Sequence, residues 1–266
     1  MHKYDLALVA LLAAAALGPP GLWAQGPQQR STQAKPSPAS APSHDLNGMW
    51  EFFNGVPNQG IYATPSKDAP PMTPWAQARW DAAKPGYGPK AQAGGNDPIL
   101  KCDPTGIPRI LFFPQPFEVV MTPERAFMFF ERDHAFRQIW TDGRDHPKDL
   151  EPTWMGDSTG KWDGETFVVD SIGFNDRAWL DFYGHPRSEQ LHLVERYRRV
   201  DQNTLLLNFT VEDPTAYTKT WASDTKVYKL LPKKQAVMEE LFCIPEEEDA
   251  FTNRIRMPAV GQTPSK

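Results

Sequence analysis

Cysteine is almost absent from this chain: of 266 residues only Cys102 and Cys243 carry a thiol. Neither belongs to a Cys-x-x-Cys pair, and neither has a histidine beside it, so the spacing argues against a zinc site built on them. Histidine is also scarce, with six in the whole chain. A strong charge of either sign is missing as well: the net charge is −5, which gives no electrostatic reason to bind nucleic acid or an anionic membrane. Several ready-made catalytic signatures are missing too. There is no Gly-x-Ser-x-Gly elbow, no His-Glu-x-x-His and no phosphate-binding glycine loop. "DGRDHPKD" from Asp142 lacks the second ligand and the central glycine of a calcium loop. His192 and Glu195 are three apart, which on a strand puts them on opposite faces and argues against a metal site on that pair. No metal and no cofactor is expected from these patterns.

Long apolar runs are missing except at the start. "MHKYDLALVALLAAAALGPPGLWAQ" has a weakly basic beginning, an apolar run from Leu6 to Leu17, and small or helix-breaking residues before a cut after Ala24. That is the pattern of a secretory signal peptide, and the run is too short to span a bilayer. No cysteine stands near the cut, so a lipid anchor there is excluded. The expected mature protein is exported, to the periplasm or the medium, and is not inserted in the membrane. Removing 24 of 266 residues leaves 242, enough for one large domain with a sizeable core. In an exported chain the two cysteines are most simply a disulfide.

What is present falls into zones. Residues 25–44 are Pro, Ser, Gln and Ala with little to bury, a disordered linker. Nineteen of the 27 prolines precede residue 124, so the first part of the domain should be turns and extended wrapping segments, since proline cannot donate to a sheet ladder. One short helix is predicted there, capped by Thr73, with Pro74 first and an end near Ala83. From Pro116 onward the period is two: "FEVVM", "AFMFFE", "FRQIW", a hairpin about Asp163-Gly164, and a pair of strands about Asp201-Gln202-Asn203. Leu205, Leu207, Phe209 and Val211 form one buried face, and Phe167 and Val169 another. "KTWASDTKVYKLL" and "QAVMEELFC" extend the series. With "GMWEFF" near the start this gives eight to ten strands, a mainly β, antiparallel meander closing into a barrel over residues 45–257, with a flexible tail at 258–266.

Two resemblances follow from these residues. Asn47-Gly48-Met49-Trp50 at the head of the first strand resembles the Gly-x-Trp of lipocalins and their calycin relatives. That likeness implies a late arginine packed on Trp50, for which Arg254 and Arg256 are the candidates. "NDPILKCDPTGIPR", "TDGRDHPKDLEPTWMGDSTGKWDGETFVVDSIGFNDRAWLD" and "GHPRSEQLHLVERYRR" resemble an uncharacterised family of exported bacterial proteins, in which the position of Asp157 is often His. That resemblance brings no reaction with it. It implies that segments 142–158 and 174–192 form the functional surface.

The strand 191–200 must turn at least one charge inward, Glu195 on one face or Arg196 on the other. The barrel interior should therefore be partly polar, since an isolated buried charge costs several kcal/mol. The loop Gly173–His192 is dense in chemistry: Trp179, Phe182 and Tyr183 as an apolar lid, with Asp176, Asp181 and His185 able to move protons. A second polar connector offers Asp145, His146, Trp154 and Asp157. The expectation is that Asp181 and His185 meet groups of Asp142–Ser158 at the barrel mouth, with Trp154 and Trp179 as walls.

Two functions of different class fit. The first is a binding protein holding a small apolar or aromatic molecule in a partly polar cavity, with Trp154, Trp179, Tyr183, Asp176, Glu195 and Arg196 as its contacts. The second is a cofactor-independent acid–base enzyme, a lyase, isomerase or hydrolase, drawing on His185, Asp181, His146 and Asp157. A structural cell-envelope protein is the third. Geometry discriminates: a histidine with an aspartate in reach, facing a cavity, supports the enzyme.

Overall fold

The computed structural model of the chain describes residues 44–53, 64–251 and 254–255. The expected signal peptide, nearly all of the linker, the C-terminal tail and Arg256 lie outside the described residues. The period-two segments form ten strands: β1 Gly48–Phe52, β2 Phe117–Met121, β3 Arg125–Phe130, β4 Phe136–Trp140, β5 Asp157–Asp163, β6 Thr166–Ile172, β7 His192–Asp201, β8 Thr204–Glu212, β9 Trp221–Ala222 and β10 Lys226–Leu230. Nine of them close a barrel. Each of β1 to β8 pairs with the next, and β10 joins β8 to β1, so the described sheet keeps no long free edge. The short β9 continues along the same border of β8, opposite Thr210 and Val211.

One junction departs from the antiparallel expectation. β4 and β5 meet in parallel, Trp140 opposite Thr159. Parallel neighbours cannot be joined by a tight turn, so the chain must cross back over the sheet. Residues 141–156 are that crossover, which is why a long polar connector stands here. A second departure is "QAVMEELFC": residues 235–243 form no strand, and a helix α2, Pro245–Phe251, follows. This segment is held by tethers instead of a ladder. The Glu239 N–H donates to Glu131 Oε2 at 2.9 Å, the Leu241 N–H to His134 Nε2 at 2.9 Å, and Cys243 is bonded to Cys102. Proline at the head of α2 and three glutamates in its first turn are the start signals of that helix.

The proline-rich part wraps the barrel as expected. Helix α1, Pro74–Ala82, is capped by Thr73, whose hydroxyl oxygen accepts from the Ala76 N–H at 3.2 Å. Its approach is pinned to the loop after β8 by Thr73 N–H to Ala216 O and Thr218 N–H to Pro71 O. A 3₁₀ turn, Arg109–Phe112, is buried throughout and fills one end of the core, with Phe112 against Phe209 and the Tyr228 hydroxyl donating to Leu111 O at 2.9 Å. The predicted core residues Leu205, Leu207, Phe209, Val211, Phe167 and Val169 are all buried. Trp50 is buried too, and its indole N–H donates to Leu46 O at 2.9 Å. The cation over its ring is Arg199 of β7, at 5.1 Å, in place of the expected Arg254, which is exposed.

The register of β7 turns Leu193, Glu195 and Tyr197 inward and leaves Arg196 outside. The partly polar interior is therefore present, as a packed network. Arg137 of β4 donates to Glu195 Oε1 at 3.0 Å and Oε2 at 2.5 Å, and also to Ser158 Oγ and Ser171 Oγ. The Tyr197 hydroxyl completes the set, donating to Glu195 Oε1 at 2.7 Å. Beside Tyr197 a void lined by Leu46, Met128, Ile139 and Phe167 amounts to about 10 Å³, room for one water molecule at most and none for a ligand. Glu195, expected to touch a ligand, has both oxygens taken by the chain itself.

Candidate functional site

The loop Gly173–His192 is mostly an interior element. Asp181 and His185 are buried, and His185 Nδ1 lies 2.6 Å from Asp181 Oδ2. The other oxygen of Asp181 accepts the N–H groups of Tyr183 and His185 at 2.9 and 3.2 Å. The carboxylate thus holds its own loop in shape, the local use of Asp that competes with sheet and helix. The His185 ring stacks on Trp80 of α1, 5.8 Å between centroids. Arg187, wholly buried, donates to the carbonyls of Asn175, Ile107 and Trp154 and to Asn175 Oδ1. Burial pushes its guanidinium down to about 9, against the pull of Asp176 and Asp213. Much of the loop's charged and aromatic density is thus packed into a satellite core, with Asp181, Arg187 and Ser188 hydrogen-bonded within the chain.

The expected meeting of the two connectors is therefore only partial. Trp154 does reach the loop, through its carbonyl and through Arg177, which lies 4.7 Å over its ring. Trp179 sits near Arg109, Tyr183 beside His185, and Asp176 is exposed. His146 and Asp157 belong to a different group on the outer wall of the barrel. The reason is topological: the crossover 141–156 is laid over the outward faces of β5 and β6, away from α1 and His185.

That group is a chain of five ionisable residues. His146 Nδ1 is 2.6 Å from Asp157 Oδ1, at the head of β5, and its Nε2 is 3.1 Å from Asp170 Oδ1 on β6. Asp170 turns both oxygens to His192 Nε2 on β7, at 3.1 and 3.0 Å, and His192 Nδ1 lies 3.4 Å from Glu212 on β8. Strand register produces this row. Asp157 pairs with Ile172, Asp170 with Val194, and His192 with Glu212, so all the side chains leave the same face. Burial would lower the pKa of His192, but the hydrogen bonds and charges of Asp170 and Glu212 outweigh it and hold the ring above its ordinary 6.5. Asp170 and Glu212 were not singled out by sequence, and His192 was weighed only as a metal partner of Glu195 and set aside. The signal for them was the outward parity of Asp170 in "TFVVDSI" and the facing ends of the two strands about Asp201-Gln202-Asn203.

His146 and Asp170 line an open cleft of about 1050 Å³ between the crossover and the sheet. Val168 and Val194 add apolar floor, Lys161 and Arg196 positive charge, and Trp140 a ring over which Arg144 lies at 3.4 Å, whereas the Trp162 indole leaves the opposite face and packs on Phe167. Among the described residues no group of three or more His, Cys, Asp or Glu is disposed to hold a metal ion; Asp170 bridges the two imidazoles. A second cleft, of about 600 Å³, is lined by Tyr87, Phe113 and Phe182, which is the contribution of the loop Gly173–His192 to an open surface.

Fold and site define a class, a β-barrel with a packed polar interior and a His–Asp cleft on its outer wall. Comparison with protein-family models, with curated proteins and with solved structures finds no match to the chain.

Proposed function

We propose that the protein is an acid–base enzyme acting on a small molecule held in the cleft under the 141–156 crossover. The observation that carries this is His146, with Nδ1 2.6 Å from Asp157 and the ring on the cleft wall. Asp157 accepts from Nδ1, which fixes the ring's orientation and leaves Nε2 as the atom that exchanges a proton. In the described state Nε2 faces Asp170. That carboxylate keeps both oxygens on His192 while sharing one with His146, so a small rotation frees Nε2 for a substrate without losing the His192 contacts. Export is part of the proposal, supported by the signal-like N-terminus and the Cys102–Cys243 bond. Among the described residues no helix is long and apolar enough to cross a membrane.

The test is a panel of small esters, lactones and enolisable acids incubated in D₂O and followed by NMR for deuterium uptake, isomerisation or cleavage. His146→Ala should lower turnover of any substrate found by about 10²–10⁴-fold, the usual share of a positioned acid or base, with an unchanged melting temperature. Full activity in that variant would refute the assignment. A second reading, binding without turnover of a small apolar molecule, is favoured by the Val168 and Val194 surfaces and by the engagement of both His146 nitrogens at rest. On that reading His146→Ala weakens binding and no member of the panel is converted.

A further inference from the structure

The floor of the same cleft carries charge that the acid–base reading does not use. Lys161 pairs with Val168 across β5 and β6, and Val168 pairs with Arg196 across β6 and β7. The two cations therefore straddle one valine on one face, their Cα atoms on the order of 9–10 Å apart at ordinary strand spacing. Several arginines of this chain are already satisfied by carboxylates. Arg137 is bonded to Glu195, Arg109 to Asp97, Arg199 to Asp45, and Arg144, on the rim of this cleft, to Asp142. Lys161 and Arg196 have no carboxylate partner among the described residues; the one polar contact of Arg196 is Thr210 Oγ1 at 3.4 Å.

The carboxylates nearby do not cancel these charges. Asp170, on the floor, is shared by His146 and His192. Asp163, two residues from Lys161 on the same face of β5, and Asp145, on the exposed crossover, form no ion pair with either cation. An anion on the floor would meet two unpaired cations and the apolar surfaces of Val168 and Val194, whereas a cation would displace nothing and meet like charge.

We infer that the molecule held in this cleft is an organic acid with an apolar body, its carboxylate seated between Lys161 and Arg196 and its body against Val168 and Val194. This rests on the proposal that the cleft is the functional site, and it names the ligand class. A carboxylate can take a two-pronged hydrogen bond from the guanidinium and a point charge from the ammonium. An apolar body suits the valine floor.

Calorimetric titration of the whole chain with naphthoate, naphthamide and naphthylmethylammonium tests this. These probes share one ring system and differ in charge. Naphthoate should bind about tenfold more tightly than naphthamide, the order expected of one charge-assisted contact, and the gap should narrow with salt. The double variant Lys161→Gln, Arg196→Gln should bind both alike while keeping its melting temperature, because both side chains are exposed. Equal binding of the three probes, preference for the ammonium, a gap that survives the double variant, or no binding at millimolar probe would each overturn the inference. His146→Asn separates it from the acid–base reading: the preference for naphthoate should persist in that variant, whatever becomes of turnover.

Discussion

At the scale of single residues, Glu195 shows how a charge is accommodated inside a barrel. Its carboxylate, wholly buried, takes both Arg137 prongs and the Tyr197 hydroxyl. Removing one partner of such a pair leaves a stranded charge. Glu195→Ala is expected to cost about 3–5 kcal/mol in urea denaturation, and Arg137→Met added to it should recover part of that loss. A cost below ~1 kcal/mol would show that water reaches Arg137. His192 gives a pH-dependent counterpart. Its folded pKa lies above the ordinary 6.5, so the folded chain binds more protons than the unfolded chain just above that value. Its contribution is then fully present below about pH 6.5 and fades as pH rises through the folded pKa. His192→Asn should remove that loss from a stability–pH curve. The sequence announced that a charge must go inward on 191–200, but it could not choose between Glu195 and Arg196, because strand parity alone leaves the facing of a strand open.

At the scale of elements, the β5–β6 hairpin and the crossover decide where chemistry can sit. Gly160 of β5 is packed so closely that an added Cβ would lie 2.5 Å from the Phe167 ring and 2.8 Å from Ile139 Cγ2. Gly160→Ala is expected to destabilise the chain by about 1–3 kcal/mol and to disturb the cleft floor with it. Phe209→Ala in β8 should cost about 3–5 kcal/mol, since its ring is buried against Phe112. The strands were legible because a buried and a wet face alternate along them. The parallel β4–β5 junction was not, because its single residue pair leaves no periodic trace. "QAVMEELFC" misled for the opposite reason. Its apolar residues read as a strand, yet Val237 and Phe242 are exposed, and the segment is positioned by the Cys102–Cys243 bond and two backbone contacts. The loop Gly173–His192 was correctly marked as unusual. Its aspartate–histidine pair was real, but only a structure shows that α1 covers it.

At the scale of the whole molecule, the proposed site lies on the outer wall of a barrel whose interior is packed. Buried cations leave a signature of this packed interior in the pH dependence of stability. Burial lowers Lys226 from 10.5 to about 8, outweighing Asp224 and Asp181. The cost of burying that charge is fully present below about pH 8. Between about pH 8 and 10.5 the unfolded chain holds more of the proton, so this residue makes stability rise with pH. Lys226→Met should flatten that part of the curve; an unchanged slope would assign it elsewhere. If ligands meet the outer cleft and leave the interior alone, amide NMR spectra of the ¹⁵N-labelled protein titrated with naphthoate should show shifts confined to Trp140–His146, Thr159–Asp163, Val168–Asp170 and Val194–Arg196. Shifts centred instead on Tyr87, Phe113 and Phe182, or on the Arg137–Glu195 interior, would contradict that placement.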